Sequence, residues 1–306
     1  MDQDIFNTDR PLLFSIAYRM LGSASDAEDV LQDAWVRWSG ADRASIRSPK
    51  AFATTIVTRL CLDRLKSARA TREEYIGPWL PEPVLTSEVE GPDTMLQRAE
   101  SVTLAFLVLL EKLSPEERAV FLLKDIFEYD HAEISDMLGT TVENSRQILH
   151  RAKAKLADGR PTLTGSAESR RAIAERFARA FSSGDGIELT ALLAKDVGMW
   201  SDGGGKATAA RRPLLGRDHV LNFLIGIHRT AQNMDVHDMS LVIEDVNSEP
   251  ALVLRIGGRL ESLFVFSIDD GEQISAIRVV RNPDKLARID HQLGAGAGGA
   301  GRAGTV

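Results

Sequence analysis

The sequence predicts a multidomain chain of two all-α modules followed by an α+β module. Three observations carry this expectation. Capped amphipathic stretches without strand signals fill the first half, a proline-rich segment divides them, and alternating or apolar runs separated by turn residues appear only beyond residue 240. At 306 residues and 43% hydrophobic, the chain has apolar material for two or three cores, taking about 150 residues per domain.

The first module occupies residues 1–75. Ser25-Asp-Ala-Glu28 has the spacing of a capping box, in which a serine oxygen and a glutamate carboxylate satisfy the unpaired N–H groups of a helix start. Behind it, Val30, Leu31, Ala34, Trp35 and Trp38 recur at helical spacing. Ser48-Pro49 sets a second start, because proline at the first helical position has no N–H to lose. There Phe52, Ile56, Leu60 and Asp63 share one side, with Arg59, Lys66 and Arg69 on others. Residues 76–94 break the pattern, with four prolines and two glycines that predict an extended connector. A plain linker is polar, so Trp79, Leu80, Val84 and Leu85 predict that this one packs on something.

The second helical module is expected over residues 95–160. Ser114-Pro-Glu-Glu117 and Asp130-His-Ala-Glu133 are further capped starts. The stretch HAEISDMLG then passes through Gly139-Thr-Thr into VENSRQILHRAKAKL, the sequence form of a helix-turn-helix. Val142, Ser145, Leu149, Ala152 and Leu156 are expected to face inward. Glu143, Arg146, Gln147, His150 and Arg151 face out, flanked by Asn144 and Lys153, and these residue types suit base edges and phosphates.

Beyond Gly159-Arg-Pro161, helix signals recur at Ser169 to Phe181 and at Arg217 to His228. LVIEDV, ALVLRI, LFVFSI and ISAIRVV then read as an antiparallel meander, with Asn-Ser-Glu-Pro, Gly-Gly and Asp-Asp-Gly at its turns. Helices followed by such strands predict an α+β domain over 166–291 whose curved sheet wraps around a helix. Residues 292–306, rich in glycine and alanine, read as a flexible tail.

Several function classes are excluded by composition and spacing. WSDGGGKA, Trp200 to Ala207, has the glycines and lysine of a phosphate-binding loop, but the G-x-x-x-x-G-K-[ST] spacing is absent and Ala207 stands where the hydroxyl belongs. No run of eighteen apolar residues occurs and MDQDIFNTDR is acidic, so neither a membrane span nor a secretory signal is expected, and the chain reads as cytoplasmic. The single cysteine, Cys61, cannot close an internal disulfide and reads as a small buried apolar residue. No histidine or cysteine spacing suggests a metal, and no cofactor is expected.

The net charge of −7 argues against unselective coating of nucleic acid, but the charges are segregated. From Arg43 to Arg72 there are eight basic residues and one acid, Asp63, whereas Asp26, Glu28, Asp29 and Asp33 form an acidic stretch just before. One surface for DNA beside another for a protein partner accounts for this division.

RPLLFSIAYRMLGSASDAEDVLQDAWVRW, SPKAFATTIVTRLCLDRLKSAR and LSPEERAVFLLKDIFEYDHAEISDMLGTTVENSRQILHRAKAKL together resemble the region 2 and region 4 domains of an extracytoplasmic-function sigma factor. YIGPWLPEPV, DGGGK and NPDKL extend the resemblance to the subgroup with a C-terminal SnoaL-like, NTF2-like domain, a cone-shaped α+β barrel. The resemblance implies a non-enzymatic transcription factor with core RNA polymerase and promoter DNA as partners. Asp26, Glu28, Asp29, Gln32 and Asp33 would bind a coiled coil of the polymerase β′ subunit. The −10 element would be melted and read by the loop with Arg43 and Arg47 and by Lys50, Thr55, Arg59, Arg64, Lys66 and Arg69, and the −35 element by Asn144, Arg146, Gln147, His150, Arg151 and Lys153. Many members have asparagine where this chain has Arg59.

The resemblance also places DGGGK and NPDKL at an interface of the third domain. Three glycines let a backbone turn sharply and dock closely, so Trp79, Leu80, Pro81, Glu82 and Pro83 are expected to pack with Asp202, Gly203, Gly204, Gly205 and Lys206, and with Asn282, Pro283, Asp284, Lys285 and Leu286. This contact would restrain the two DNA-reading domains, making the third domain a regulator. Two other readings stay open: a pocket for a small-molecule ligand, and catalysis by an acid–base pair drawn from Trp200, Asp202, His228 and Asp235. The corresponding whole-chain alternatives are a DNA-tethered SnoaL-like enzyme and a small-molecule-sensing helix-turn-helix regulator.

Overall fold

In a computed structural model, residues 3–42, 46, 48–73, 75–89, 102–157, 163–233 and 238–296 are described. The chain divides into two compact units: Met1–Glu74 with Val89–Pro161, and Tyr75–Glu88 with Thr162–Val306. The connector thus groups with the α+β part of the chain.

In the first unit, α1 (Gln3–Leu21), α2 (Ala24–Ser39) and α3 (Pro49–Glu73) pack on one another. Helix α2 starts earlier than the Ser25–Glu28 spacing suggests. Ser23 is its cap, accepting from the Asp26 amide at 3.1 Å, and this phase buries Ala24, Ala27, Val30, Leu31, Ala34 and Trp38, leaving Trp35 half-buried. Trp38 lies 6.1 Å from Phe6 and 5.9 Å from Phe52 between ring centroids, where offset aromatic pairs attract. Ser48 receives the Ala51 amide at 3.4 Å at the start of α3. The buried stripe of α3 is wider than expected, adding Ala53, Val57, Cys61 and Leu65 to Ile56 and Leu60, while Asp63 is exposed. Burial pushes the Cys61 thiol up, so it remains protonated and inert.

The short helical turn α4 (Thr86–Val89) closes the connector, and α5 (Leu104–Leu110), α6 (Pro115–Phe121), α7 (His131–Leu138) and α8 (Val142–Leu156) follow. Both expected capping boxes form, at Ser114/Glu117 and Asp130/Glu133. Between α6 and α7 the chain makes a π-turn over Leu122–Ile126, and Glu128 at φ 62° reverses it. Gly139 ends α7 at φ 66°, a conformation that costs glycine nothing, and Thr141 caps α8. Val120, Leu123, Ile134, Met137 and Ile148 form the small core beneath the two helices. Ile148, not the half-buried Leu149 or Val142, completes the inward stripe Ser145, Ile148, Ala152 and Leu156, whose steps of three and four residues keep one face.

The second unit opens with α9 (Ala167–Ser183) and α10 (Gly186–Leu192), which leads directly into β1 (Leu193–Asp202). After β2 (Leu214–Leu215) and α11 (Arg217–Asn233) come β3 (Met239–Val246), β4 (Glu249–Ile256), β5 (Arg259–Ile268) and β6 (Ile274–Val280), and α12 (Pro283–Gly296) ends the described chain. The six strands lie in the order β2-β1-β6-β5-β4-β3. The four expected strands β3 to β6 form the antiparallel meander, and β1, which the sequence did not mark, joins it by pairing with β6 in parallel. The sheet is open, with β2 and β3 as its two edges, and does not close into a barrel. Asn247-Ser248 and Gly257-Gly258, all at positive φ, make the two tight hairpins, the left-handed pair that suits the strand twist. Helix α12 runs through residues 292–296, where a tail was expected, because Leu286 and Ile289 anchor it by burial. The remaining tail lies outside the described residues.

One face of the sheet packs on α9, α10 and α11 through Phe177, Phe181, Leu192, Leu224, Phe264, Phe266 and Ile277. The other presents Val246, Ala251, Val253, Leu263, Val265 and Val280, all buried, on the side where α12 meets β5 and Leu85 of the connector bridges Val246. Phe177 is fully buried, with its ring 4.7 Å from Phe266 and 5.9 Å from Phe181. Phe177→Ala is therefore expected to cost this unit about 3–5 kcal/mol, as a lowered urea midpoint with unchanged slope.

Candidate nucleic-acid interface and connector site

Helix α8 presents its expected outer face. Asn144, Arg146, Gln147, His150, Arg151 and Lys153 are all exposed. Their freedom differs, however. Lys153 lies 2.9 Å from Asp125 of the π-turn, Arg151 lies 4.0 Å from Glu117 on α6, and Arg146 lies 3.8 Å from Glu143. The Asn144 amide donates to Thr140 at 2.7 Å. Burial opposes ionisation of Glu117, yet Lys155 at 2.7 Å and the Ser114 amide hold its carboxyl below the usual range. The acids of α6 and the π-turn thus orient the basic side of α8. His131 accepts or donates at Ser145 over 2.9 Å, tying the two helices of the motif, and burial with Lys124 and Arg146 nearby pushes its pKa down.

The structure separates the residues expected to read the −10 element. Lys50, Arg59 and Lys66 are exposed on α3, and Thr55 bonds back to the Ala51 carbonyl at 2.8 Å. Arg64 instead faces α2, where it meets Asp26 at 3.1 Å, Asp29 at 3.3 Å and Asp33 at 3.5 Å. Its place is with the acidic row, because three carboxylates one helical turn apart hold a guanidinium more firmly than solvent does. Arg59 also has a protein acceptor, donating through Nε to the Met137 carbonyl at 2.8 Å. Arg43 and Arg47 and the Arg69 side chain lie outside the described residues.

On α2, Asp26, Asp29, Gln32 and Asp33 are exposed, and Glu28 is half-buried and paired with Arg10. Sequence reasoning missed Val36. It is 70% exposed, one turn beyond Gln32 and Asp33, and so adds an apolar side chain to the exposed face that carries the acids. The signal was in the sequence, since helical spacing puts 29, 32, 33 and 36 together.

In the second unit, the glycine loop and the connector meet at Asp202. This carboxylate is fully buried and accepts from the Tyr75 hydroxyl at 2.5 Å, the Leu80 amide at 2.8 Å, the Gly204 amide at 3.0 Å and Lys285 Nζ at 2.7 Å. Its own carbonyl receives the Arg281 and Asn282 amides. Lys285 also donates to the Leu80 carbonyl and sits 4.4 Å from the Trp79 ring centroid and 5.0 Å from that of Tyr75, within cation–π range. Burial and the adjacent carboxylate push the Tyr75 phenol up, so it keeps the proton that it donates.

The glycines have separate reasons to be there. A Cβ on Gly203 would fall 2.3 Å from the Ala207 carbonyl oxygen, and one on Gly204, at φ 57°, 2.2 Å from Asn282 Nδ2. A Cβ on Gly205, at φ 71°, would meet Ile76 at 2.9 Å. The loop is thus shaped by close approach of protein, and Lys206 pairs with Asp284 at its rim. Further along, Val84 and Asn247 exchange two hydrogen bonds at 3.0 and 3.1 Å, adding the connector to the β3–β4 turn as an extra strand residue. Leu80, Pro81, Glu82 and Pro83 are buried, Pro283 is exposed and Leu286 is buried.

Among the described residues, Asp202 and His228 are engaged separately and form no acid–base pair. Asp202 is consumed by the connector and Lys285, whereas the His228 ring packs on Gly184 at the end of α9, with Nε2 2.6 Å from where a Cβ would stand. Trp200 lies on the strand face beside Arg278, 5.7 Å away, and Asp235 is outside the described residues. Among the described residues no group of acids, histidines and cysteine could hold a metal.

Removing the Asp202 carboxylate leaves the Leu80 amide and the Tyr75 phenol without their acceptor and the largely buried Lys285 ammonium with only the Leu80 carbonyl. Asp202→Ala is expected to cost about 3–5 kcal/mol locally, read as loss of hydrogen-exchange protection at the Leu80 amide by about two orders of magnitude or more.

Comparison with known proteins matches this arrangement at both scales. Residues 5–71 match the sigma-70 region 2 family and residues 103–156 the sigma-70 region 4 family. The ECF RNA polymerase sigma factor SigJ of Mycobacterium tuberculosis (strain ATCC 25618 / H37Rv) is 34% identical over 293 residues, covering 94% of this chain and 93% of its own. A probable ECF RNA polymerase sigma factor of the same strain, SigI, is 29% identical over 94% of this chain and 95% of its own. The crystal structure of the M. tuberculosis extracytoplasmic-function sigma factor SigJ superposes with a TM-score of 0.71 at 30% identity, over 94% of this chain and 98% of that one. With its two helical sigma regions and a fused α+β domain, this chain belongs to the extracytoplasmic-function sigma factors of the sigma-70 family.

Proposed function

We propose that this sigma factor works through three surfaces. The acidic face of α2, with Val36 at its C-terminal end, docks on the β′ coiled coil of core RNA polymerase. The outer face of α8 reads the −35 element in the major groove, and the basic side of α3 with the preceding loop engages the −10 element. The observation that carries the reading is the pairing, in one unit, of an exposed basic helix-turn-helix face with a separate exposed acidic face. Acids that hold α8 from behind leave Arg146, Gln147 and His150 outward, where bidentate contacts to bases discriminate. The site of action is the cytoplasm, where the polymerase works. Among the described residues no helix is long and apolar enough to cross a membrane.

The third domain acts as a covalently attached regulator by its hold on residues 75–86. A fused domain competes at high effective concentration, so no separate inhibitory protein is required. A small-molecule effector, where one exists, would act by binding this domain and changing its grip on Leu80 and Tyr75.

Transcription from a cognate promoter with purified core polymerase tests the reading. Gln147→Ala is expected to lower promoter-specific initiation about tenfold, for a loss of roughly 1–3 kcal/mol of base discrimination. Lys153→Ala is expected to weaken binding to all sequences alike and to reduce the slope of log affinity against log salt by about one. Val36→Asp should reduce association with core polymerase at least tenfold while leaving the fold intact, since the side chain is exposed. Removal of the chain beyond Gly165 is expected to change promoter-dependent activity, and an unchanged rate would remove the regulatory role.

A further inference from the structure

Helix α11 is apolar well beyond the strip that it buries. Val220 and Leu224 lie in the core, whereas Leu221, Phe223, Ile225 and Ile227 are half-buried on the two flanks of the helix. Beside one flank, Ile187 at the start of α10 is 87% exposed, and its neighbour Gly186 lies against Ile225, 3.8 Å from where a Cβ would stand. At the N-terminal end, Leu215 of β2 is 62% exposed, and its carbonyl is 2.9 Å from the His219 ring. Apolar residues scattered singly over a surface are ordinary, but six large ones about one helix form a patch, and such patches mark interfaces.

Between the flanks, the outermost line of α11 carries Asp218, Asn222, Ile225 and Arg229, at spacings of four, three and four residues. At 3.6 residues per turn these four side chains leave the helix within about 60° of one another. Asp218, Asn222 and Arg229 are exposed, and among the described residues none of them has a hydrogen bond or ion pair within the chain. The line is therefore self-complementary, with an acid at one end and a base at the other. We propose that α11 is the face through which two copies of this chain associate, as an antiparallel two-fold dimer, a conclusion independent of promoter reading.

With the two-fold axis between Phe223 and Leu224, Asp218 stands opposite Arg229 of the second copy, and Arg229 opposite its Asp218. A parallel arrangement would set like charges side by side. An antiparallel two-fold also keeps each flank on its own side, so Leu221, Ile225 and Ile187 meet the same three residues of the second copy, and Phe223 and Ile227 meet theirs. Gly226 supports the same arrangement. It is exposed in the middle of the helix, where glycine is less favourable than alanine, and nothing in the chain lies within 4 Å of where its Cβ would stand. Close approach of a second helix supplies the reason, because this space falls opposite Asn222 and Phe223 of the second copy. Exposed ion pairs contribute little affinity and chiefly fix the register, so the apolar flanks provide the attraction. An interface confined to one helix and its neighbours is small, which places the dissociation constant on the order of 10–100 μM.

The test is sedimentation velocity of the full chain from about 1 to about 300 μM, in about 50 mM salt, where exposed charges still interact. A monomer–dimer equilibrium is expected, and it should weaken at about 500 mM salt. Asp218→Arg and Arg229→Asp are each expected to raise the dissociation constant about tenfold, because the two-fold repeats every altered contact, and the double variant should return to the parent value. Ile187→Asp is expected to abolish the dimer over this range. All three positions are exposed, so circular dichroism and the thermal midpoint should be retained. A second measurement reads the register: the two Asn222 positions are offset by about 4.5 Å along the helices, within disulfide reach at an interaxial distance of about 8–10 Å. Asn222→Cys is therefore expected to give a disulfide-linked dimer under mild oxidation, whereas the parent, whose Cys61 is buried, should not. A chain that stays monomeric throughout overturns the proposal. So does a dimer that both single reversals leave unchanged and that Asn222→Cys fails to cross-link, since it would form through another face.

Discussion

The second unit depends on one buried carboxylate. Asp202 closes β1 with each carboxylate oxygen accepting two bonds: the Tyr75 phenol and the Gly204 amide on Oδ1, the Leu80 amide and the Lys285 ammonium on Oδ2. Alone in that place, an ionised carboxylate would be strongly unfavourable, and removal of any donor raises the cost of keeping it. The connector is consequently not a linker with incidental contacts but part of the domain that follows it, as its grouping with Thr162–Val306 indicates. Trp79 and Tyr75, stacked about Lys285, keep water from the pair and so maintain its strength.

The first unit is built on a different principle. Two of its contacts across the sigma regions, from Arg59 and Arg118, are charge-assisted bonds to main-chain carbonyls, which no side-chain substitution on the accepting helix can delete. Meanwhile the surfaces that face outward are ordered from behind. Arg64 keeps the α2 acids in a row, and Glu117 and Asp125 keep the α8 lysines and arginine in place. Several basic residues that the resemblance implies as DNA contacts, Arg59, Arg64, Arg151 and Lys153, thus also have acceptors within the protein.

Much of this was legible in the sequence because local rules agreed with the tertiary outcome. Ser114/Glu117 and Asp130/Glu133 cap where their spacing says, Gly139 turns where a left-handed residue is needed, and the Asn247-Ser248 and Gly257-Gly258 hairpins follow their residue types. The reading slipped where two rules competed. Ser23 and Ser25 both offer a cap, and only burial of Ala24 and Ala27 selects the first. Strand β1 was hidden because Lys195 and Asp196 sit at a register shift between Leu193 and Gly198, which erases the alternation that marks a half-buried strand. At the site, the DGGGK and connector motifs pointed to each other, but Tyr75, Arg59 and Arg64 could not be placed without knowing which helix end or carboxylate each would face. Long cationic side chains have several acceptors within reach, and sequence spacing ranks none of them.

The order of these groups along the chain has a temporal consequence. Tyr75 and Leu80 leave the ribosome long before Asp202, and Lys285 follows Asp202 by 83 residues. At about 5–20 residues per second, both sigma regions are synthesised on the order of ten seconds before the Lys285–Asp202 contact can form. Each nascent molecule therefore passes through an interval in which the helical half is finished while the connector still waits for its carboxylate.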